Sequence, residues 1–433
     1  MRKYKVFLFY FLLLISPAAF CQVFTLENAM DRALNNNFSI RVERNNSEIK
    51  NNDATAGNAG MLPQVDATGS YTTSINSTKQ EYSNGTEINK DGAKQTVTTA
   101  GVALEWVLFD GMKMFASYDR LKSISEQGRI DLKVAMEKVV EDVNTIYYGV
   151  VKESQLLKAL QETFVFYEDR LKISENKYNI GSASKLDYLQ SKVDLNAQRA
   201  AILQQQENLT NAKTELNRLL VFPVDSSYEV ADTIIINYNP DYALLKSSLA
   251  SNFQLRSIEK NISISRYSLN ELKGQRLPVV SGNAGYLFSD NKNDAGFFVK
   301  NQTSGLQFGI TARYNLFNGF NTSRQIKNAR LSMLNSQLLF EQTTQNLNAD
   351  LIIAFEHFKN SSDRLKLEED NIIYARENAS VFIQSFRLGS ANSLQVKAAQ
   401  ESLNTALSRL VNARFDTKIT EVALLRLTGQ LVK

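Results

Sequence analysis

The chain has 433 residues, of which 43% are hydrophobic and 22% charged, and its formal net charge at pH 7 is +4. It contains one cysteine and one histidine, which excludes a disulfide-stapled scaffold. Beyond the N-terminal region the sequence has no run of about eighteen apolar residues, so ordinary membrane-spanning helices are excluded. The small net charge gives no indication of nucleic-acid binding.

Residues 1–21 have the pattern of a secretory signal sequence. A basic start is followed by an apolar run, Val6 to Ile15, and then by a region suited to cleavage before Gln22. Lipid attachment at Cys21 is the alternative, but the bulky Phe20 before it disfavours lipoprotein processing. Cleavage would lower the net charge from +4 by three, to +1. An exported chain without apolar spanning helices is either soluble in the periplasm or inserted as a barrel.

The first repeat, residues 22–238, begins with a helix and a β-hairpin. Thr25 is suited to cap a helix that we expect to continue to about Gly57. Apolar and polar residues then alternate in two strands that form a hairpin over about 64–109. The polar loop between them contains the turn signals Asn84–Gly85 and Asp91–Gly92.

Long helices follow the first hairpin and are interrupted at Gly181. The next helix has a coiled-coil-like spacing, with apolar residues at Leu186, Leu189, Val193, Ala197 and Ala200. Phe222–Pro223 ends these helices, and the run Thr233–Ile236 predicts a short strand before the second repeat. An ordinary soluble coiled coil is the alternative, but it does not explain the strands that interrupt the helices at matched positions.

The second repeat, residues 239–433, has the same order of elements. Its hairpin is predicted over about 279–317, with a polar loop from Asp290 to Ser304. The chain between Gly319 and Gly389 contains no glycine or proline, which predicts one long helix. The corresponding helix of this repeat carries apolar residues at Leu403, Ala406, Leu410 and Ala413.

Two constant offsets show that the chain is a tandem duplication. Leu108–Gly111 corresponds to Leu316–Gly319, and Gly181–Ala183 to Gly389–Ala391, both at the same separation. Upstream of the strands, Leu62–Pro63 corresponds to Leu277–Pro278 at a slightly larger separation. One loop deletion accounts for the change. We expect both repeats to form one structural domain.

Four membrane-type strands per chain are too few for a closed wall. The smallest barrels have about eight strands, and an open sheet edge in lipid leaves backbone groups unpaired. Several copies must therefore share one barrel, although the spacing alone does not choose among dimer, trimer and tetramer.

The paired Leu-Pro, Leu-Phe-(Asp/Asn)-Gly and Gly-Ser-Ala motifs together resemble the TolC-like outer-membrane efflux protein family, the outer membrane factors. The resemblance implies a mostly α fold with a transmembrane β-barrel: a homotrimer whose twelve-stranded barrel, in the lipid of a Gram-negative outer membrane, continues into a periplasmic α-helical tunnel. It implies neither catalysis nor a cofactor. It also implies a passive exit duct of a tripartite efflux or type I secretion system, supplied by an inner-membrane transporter (RND, ABC or MFS type) through a periplasmic adaptor protein.

The resemblance also suggests site residues. The tip turns, where the adaptor would dock, contain Gly181, Ser182, Gly389 and Ser390. Aperture-gating candidates are Asp187, which could pair with Lys185 or Arg387, and Gln395. Gln395 and Ala398 stand where relatives have acidic residues, and Ala391 replaces an expected arginine. An acidic selectivity ring is therefore not implied, and a solvated Asp187 at a helix start is an equally good interpretation.

The strands supply the remaining candidates. Glu105 and Arg313 occupy matching positions on the polar strand faces and are candidates for the barrel lumen. Trp106 and Tyr314 match on the apolar faces and are candidates for the lipid interface, with plain lipid-facing bulk as the alternative. After cleavage of the signal sequence, His357 would have no second histidine or cysteine with which to form a zinc site.

Two hypotheses therefore compete. One is the passive export duct, and the other is a structural, periplasm-spanning coiled-coil protein with a barrel anchor and no open conduit. An exported enzyme has no supporting constellation of residues.

Overall fold

The computed structural model describes residues 24–226 and 228–432. The predicted signal sequence, including Cys21, lies outside the described residues. The chain divides into two compact units, formed by the described parts of 1–43, 133–252 and 345–433, and of 44–132 and 253–344. Each unit combines segments of both predicted repeats. The assignment of both repeats to one structural domain stays a prediction.

Among the described residues, two helices precede the first strand: α1, Leu26–Asn36, and α2, Phe38–Asp53. The Thr25 cap is confirmed, since its hydroxyl accepts a hydrogen bond from the Asn28 amide at 3.3 Å. The prediction of one continuous helix to about Gly57 was wrong. The break comes at Asn37, whose backbone has ψ 131° and whose side-chain amide donates to the Leu219 carbonyl at 3.1 Å.

Four antiparallel strands form one sheet in the order β1–β2–β3–β4. Their bounds are β1 Gln64–Glu81, β2 Glu87–Phe109, β3 Val279–Asn293 and β4 Lys300–Arg313. The first hairpin has the predicted bounds. Asp91–Gly92, predicted as a turn, instead lies inside β2 at an irregularity in its pairing with β1, with Gly92 at φ +68°.

The second hairpin is shorter at its helical end and longer at its turn than predicted. β4 stops at Arg313 rather than about 317, because its partner β3 begins at Val279, directly after Pro278, and Val279 pairs with Arg313. At the turn, the ladder continues to the pair Lys292–Lys300. Much of the predicted polar loop from Asp290 to Ser304 is therefore strand.

The long helices are confirmed. Helix α3 is Lys113–Asn179 and helix α4 is Lys185–Leu220. In the second repeat, after the short α5 (Tyr242–Ser248) and α6 (Phe253–Gly274), helix α7 is Asn321–Leu388 and α8 is Ser393–Leu427. Helix α7 occupies nearly all of the predicted glycine- and proline-free run.

The segment between the repeats contains no strand at Thr233–Ile236, so that prediction was wrong. Ile234 is buried there. Val230 of this segment forms a parallel bridge with Phe24. Asp241 caps α5 by accepting from the amides of Ala243 and Leu244.

The two predicted helical seams have different environments. In α8, Leu403, Ala406, Leu410 and Ala413 are buried in one core cluster with α7 residues such as Leu365, Ile372 and Ala379. In α4, by contrast, Leu186 is 73% exposed, and Leu189 and Val193 are exposed too. The buried face of α4 is instead largely polar, with Ser191, Asp194, Gln198 and Gln205 packed inside the chain.

Candidate tip, gating and sheet sites

The tip turns of the two repeats have the same backbone geometry. Gly181 has φ +76° and Gly389 has φ +87°, a left-handed conformation that favours glycine at a helix C-terminus. The Ser182 amide donates to the Lys177 carbonyl at 2.8 Å, and the Ser390 amide donates to the Ser385 carbonyl at 2.9 Å. The duplication thus extends to individual hydrogen bonds.

The same serine side chains complete both turns. Ser182 Oγ donates to the Lys177 carbonyl at 3.2 Å, and Ser390 Oγ donates to the Ser385 carbonyl at 3.1 Å. Each hydroxyl therefore supplements its own amide on one carbonyl left free at the helix end. The glycine of each turn adopts the left-handed backbone conformation, and the serine stabilises the turn through its hydrogen bonds.

Lys177 connects the C-terminal ends of α3 and α7, next to the two tip turns. Its ammonium donates to the Phe386 carbonyl and lies 4.5 Å from the centre of the Phe386 ring. Beside this contact, Arg387 and Asp169 line a cleft of about 400 Å³ together with Lys172, Asn176 and Ile180. Lysine and arginine give this cleft a mostly positive lining.

Two of the four gating candidates, Asp187 and Gln395, take part in helix capping within this chain. Ser184 Oγ donates to Asp187 Oδ2 at 2.8 Å and accepts from the Asp187 amide at 3.2 Å. In the described part of the chain, Asp187 forms no ion pair with Lys185 or Arg387. Its carboxylate instead lies at a helix N-terminus, where backbone amides stabilise negative charge.

Gln395 takes part in a capping box at the start of α8. Its amide donates to Asn392 Oδ1 at 2.9 Å, and its side-chain oxygen accepts from the Asn392 amide at 3.0 Å. This reciprocal pairing satisfies two amides that a helix start leaves free. Gln395 therefore stabilises the start of α8, and a glutamate at this position could form the same capping box.

A buried ionic network centred on Arg170 was not predicted from the sequence. Arg170 is 1% exposed and donates to Asp194 Oδ2 at 2.9 Å, to Gln400 at 3.3 Å and to Ser393 at 3.0 Å. Lys397 approaches Asp194 Oδ1 at 3.1 Å. The network therefore joins α3, α4 and α8, helices that come from both repeats.

The charge of Asp194 is set by opposing effects. Burial disfavours its ionised form, but hydrogen bonds from Gln190 and Lys397, together with the charge of Arg170, outweigh burial and hold the pKa of Asp194 below its usual value. Asp194 is therefore a carboxylate at neutral pH. The sequence holds no local signal for this pair, because Arg170 and Asp194 lie on different helices and only the packing brings them together.

The register of the sheet separates an apolar from a polar face. Directly paired residues point to the same side of a sheet, so Trp106 shares a face with Gly282 and Ile310, and Leu104 with Phe308. Phe308 is 87% exposed. Glu105 pairs with Asn283 and shares the opposite face with Arg313, two positions beyond Thr311. The face assignments of Glu105, Arg313 and Trp106 therefore agree with the sequence pattern.

Tyr314 does not match Trp106 in the structure. It lies one residue past the end of β4, so the predicted strand position was wrong. Trp106 is on a strand, and its indole N–H donates to the Met61 carbonyl at 3.0 Å. The amphipathic ring of Trp106 therefore has its polar end bound to backbone at the helix-connected end of the sheet.

Comparison with known proteins identifies the family. Residues 29–220 and 244–430 match the family described as outer membrane efflux protein. The chain belongs to this family. It is 19% identical to the outer membrane efflux protein BepC of Brucella suis, over 94% of this chain and 86% of the relative. It is also 19% identical to the outer membrane protein TolC of Escherichia coli, over 86% of this chain and 75% of the relative.

Solved structures show the same fold. The outer membrane protein VceC of Vibrio cholerae superposes with a TM-score of 0.79 at 16% identity, covering 93% of this chain and 96% of that one. CusC superposes with a TM-score of 0.80 at 16% identity, covering 95% and 93%. This efflux protein is thus a Gram-negative outer membrane protein that extends into the periplasm, and its mostly helical fold with β-hairpins is confirmed.

Within residues 24–226 and 228–432, no cluster of three or more histidine, cysteine, aspartate or glutamate side chains is suited to a metal ion. None of the described helices has an apolar stretch that would cross a bilayer. His357 lies on α7 and lines a shallow cleft with Arg364 and Asp416.

Proposed function

We propose that this outer membrane efflux protein forms, as a homotrimer, the passive exit duct of a tripartite efflux or type I secretion system. The observation that carries the proposal is the four-stranded sheet, which has one exposed apolar face and two edge strands, β1 and β4, that pair with only one neighbour each. In lipid each unpaired backbone group costs several kcal/mol. Three copies edge to edge would give twelve strands and no free edge.

The exposed seam of α4 supports assembly by an independent argument. Leu186, Leu189 and Val193 follow helical spacing, yet they are exposed in the single chain. A second copy that covers this seam would bury three large apolar side chains, each worth about 1.5–3 kcal/mol when fully removed from water. The free sheet edges and the exposed α4 seam thus both support assembly with neighbouring copies of the chain.

The tip turns are the proposed docking site for a periplasmic adaptor protein. Gly181, Ser182, Gly389 and Ser390 form two equivalent projections, and no atom lies within 4 Å of a Cβ built on either glycine. The adaptor would connect the duct to an inner-membrane transporter of the RND, ABC or MFS type. Asp187, Lys185, Arg387 and Gln395 stay proposed gating residues, with ion pairs of Asp187 formed between copies rather than within one.

The proposed roles of the sheet residues follow from the two faces. Glu105 and Arg313 would face the lumen, where water solvates charge, and Trp106 would lie at the lipid interface. The chain would perform no catalysis, and cargo would be chosen by the transporter. Relatives include the proteases secretion protein PrtF of Dickeya chrysanthemi and the toluene efflux pump outer membrane protein TtgC of Pseudomonas putida, which supports a duct tolerant of very different cargo.

Conductance of the purified oligomer in planar bilayers tests the duct. We expect small conductance steps from the wild type and larger, more frequent steps after combined Asp187→Ala and Arg387→Ala substitution, because these side chains narrow the tip. Glu207→Ala, an exposed site on α4, is the matched control and should leave conductance unchanged. Silence of both wild type and double variant would favour the structural protein without a conduit.

A further inference from the structure

Three lysines lie together on the apolar face of the sheet, at its turn end. Lys292 on β3 pairs directly with Lys300 on β4 and with Thr96 on β2. Lys94 is two residues from Thr96 along β2 and therefore points to the same face. All three side chains are exposed. We call Lys94, Lys292 and Lys300 the lysine row.

The position of the lysine row matches the thickness of an outer membrane. Lys292 and Lys300 lie ten residues from Gly282 and Ile310, and Lys94 lies twelve residues from Trp106. At about 3.4 Å per residue and a strand tilt of roughly 40°, ten residues correspond to about 26 Å along the membrane normal. The apolar band of such barrels is about 25 Å tall. The lysines thus lie one apolar band away from Trp106.

The lysine row has more positive charge than its surroundings neutralise. Lys94 and Lys292 form no ion pair with any residue of the described chain. Lys300 lies 3.9 Å from Asp290 Oδ1, the one acidic partner on this face. The nearby Lys79 and Lys90 are in contrast already near Glu87 and Asp294, each at 3.9 Å.

An apolar turn directly precedes the lysine row. Phe297 is 77% exposed, and Phe298 and Val299 beside it are exposed as well. The Phe297 ring contacts that of Tyr82 in the other hairpin, with ring centres 6.1 Å apart. On the membrane side of the lysines, the face first has the polar row Thr98–Asp290–Gln302 and then continues with Phe288 and Leu306. The positive charge therefore lies between an exposed apolar turn and the start of the apolar band.

We infer that the lysine row binds the phosphate groups of a phosphorylated glycolipid in the outer leaflet of the outer membrane. Such a lipid combines negative headgroup phosphates with acyl chains, which complements lysines placed above Phe288 and Leu306. Free phosphate would use the lysines but not the apolar rows. The inference rests on the proposed function, which places the hairpins in the membrane with their turns outward.

Binding of lipid A to the purified full-length oligomer in neutral detergent tests the inference. The probes are bisphosphorylated lipid A and the same lipid A after enzymatic removal of its phosphates. Each lysine near an anionic lipid contributes roughly a fivefold factor in affinity. The combined K94Q, K292Q and K300Q variant should therefore bind the phosphorylated lipid about a hundredfold more weakly, and raised salt should weaken wild-type binding.

The matched control removes the same number of positive charges from another part of the protein. K273Q, K327Q and K359Q remove three exposed lysines from helices and should leave affinity unchanged. If the lysine-row variant and the wild type prefer phosphorylated lipid equally, or if the wild type shows no such preference, the inference is overturned. Conductance in bilayers of neutral phosphatidylcholine tests the proposed duct independently of the lipid inference, because these bilayers contain no phosphorylated glycolipid.

Discussion

At the residue scale, the tip turns depend on two glycines whose neighbourhood is open. Neither Gly181 nor Gly389 has an atom within 4 Å of its built Cβ, and both have positive φ. A side chain there would meet backbone strain of about 1–2 kcal/mol rather than a steric clash. A substitution should therefore disturb the shape of the turn while leaving the helical core intact.

Gly181→Leu and Gly389→Leu should each abolish export while outer-membrane insertion and heat stability stay close to wild type. The measurement is export of a reporter substrate alongside the amount of protein in the outer membrane. Gly149→Leu in α3 is the matched control, since Gly149 also has open space around its Cβ but lacks a positive φ. Normal export in both tip variants would remove these turns as the docking site.

Glu137 is a second residue whose environment leads to a prediction. It is buried on α3, and its Oε1 has no hydrogen-bond partner among the described residues. Burial raises the pKa of Glu137 to about 7, with the charge of Arg426 opposing and that of Glu141 reinforcing the shift. The folded protein thus keeps a proton that the unfolded chain releases near its ordinary pKa of 4.5.

Stability should therefore fall as pH rises from about 4.5 to about 7 and level off above that range. Glu137→Gln, which cannot ionise, should remove this part of the pH dependence and gain about 1–2 kcal/mol at pH 8. Thermal unfolding of variant and wild type at pH 5 and pH 8 measures the difference. Equal pH dependence in the two proteins would show that Glu137 ionises normally.

At the element scale, helices and turns that depend on neighbouring residues could be predicted from the sequence. Strand ends and contacts that depend on packing between elements could not. Helix α7 was predictable because its sequence contains neither glycine nor proline, and the tip turns were predictable because a glycine marks each of them. The end of β4 was not, since alternation continues to Leu316 while the ladder stops at Val279–Arg313 for lack of a partner. The Arg170–Asp194 pair was not predictable either, because it joins residues of separate helices.

The Arg170 network should stabilise the junction of α3, α4 and α8. Arg170→Met leaves a buried carboxylate with fewer partners and should cost about 3–5 kcal/mol. Adding Asp194→Leu should recover part of that loss, because the unpaired charge is then removed. Denaturant unfolding of the two single variants and the double variant measures the coupling.

An exposed ion pair between α3 and α7 is the control for this network. Arg376 Nε lies 2.9 Å from Glu162 Oε1, with both side chains about half exposed. Arg376→Met should therefore cost no more than about 1 kcal/mol. An equal cost for Arg170→Met would contradict a stabilising role for the buried network.

The sheet allows a comparison of adjacent residues on opposite faces. Leu306→Lys places a charge on the apolar face near mid-membrane depth and should cost about 2–4 kcal/mol. Gln307→Lys places the same charge on the polar face and should be tolerated. The amount of each variant recovered from the outer membrane measures the effect. Equal recovery would contradict the assignment of the faces.

At the scale of the whole molecule, a single chain leaves two kinds of surface without a neighbour. Its sheet has two edge strands that pair on one side each, and its α4 seam is exposed. At the separation of the tip motifs, Leu403 and Ala406 of α8 correspond to Leu195 and Gln198 of α4, and all four are buried. The buried faces of the two helices are therefore equivalent, and the exposed α4 seam lies on another face. In the proposed assembly, neighbouring copies would cover both the sheet edges and this seam.

The mass of the complex extracted from the outer membrane tests this account most directly. Native mass spectrometry in a mild detergent should give the mass of three mature chains, which supply twelve strands to one closed wall. A complex that stays a monomer, with its four strands folded on their own, would contradict the claim that copies of this chain share a single barrel.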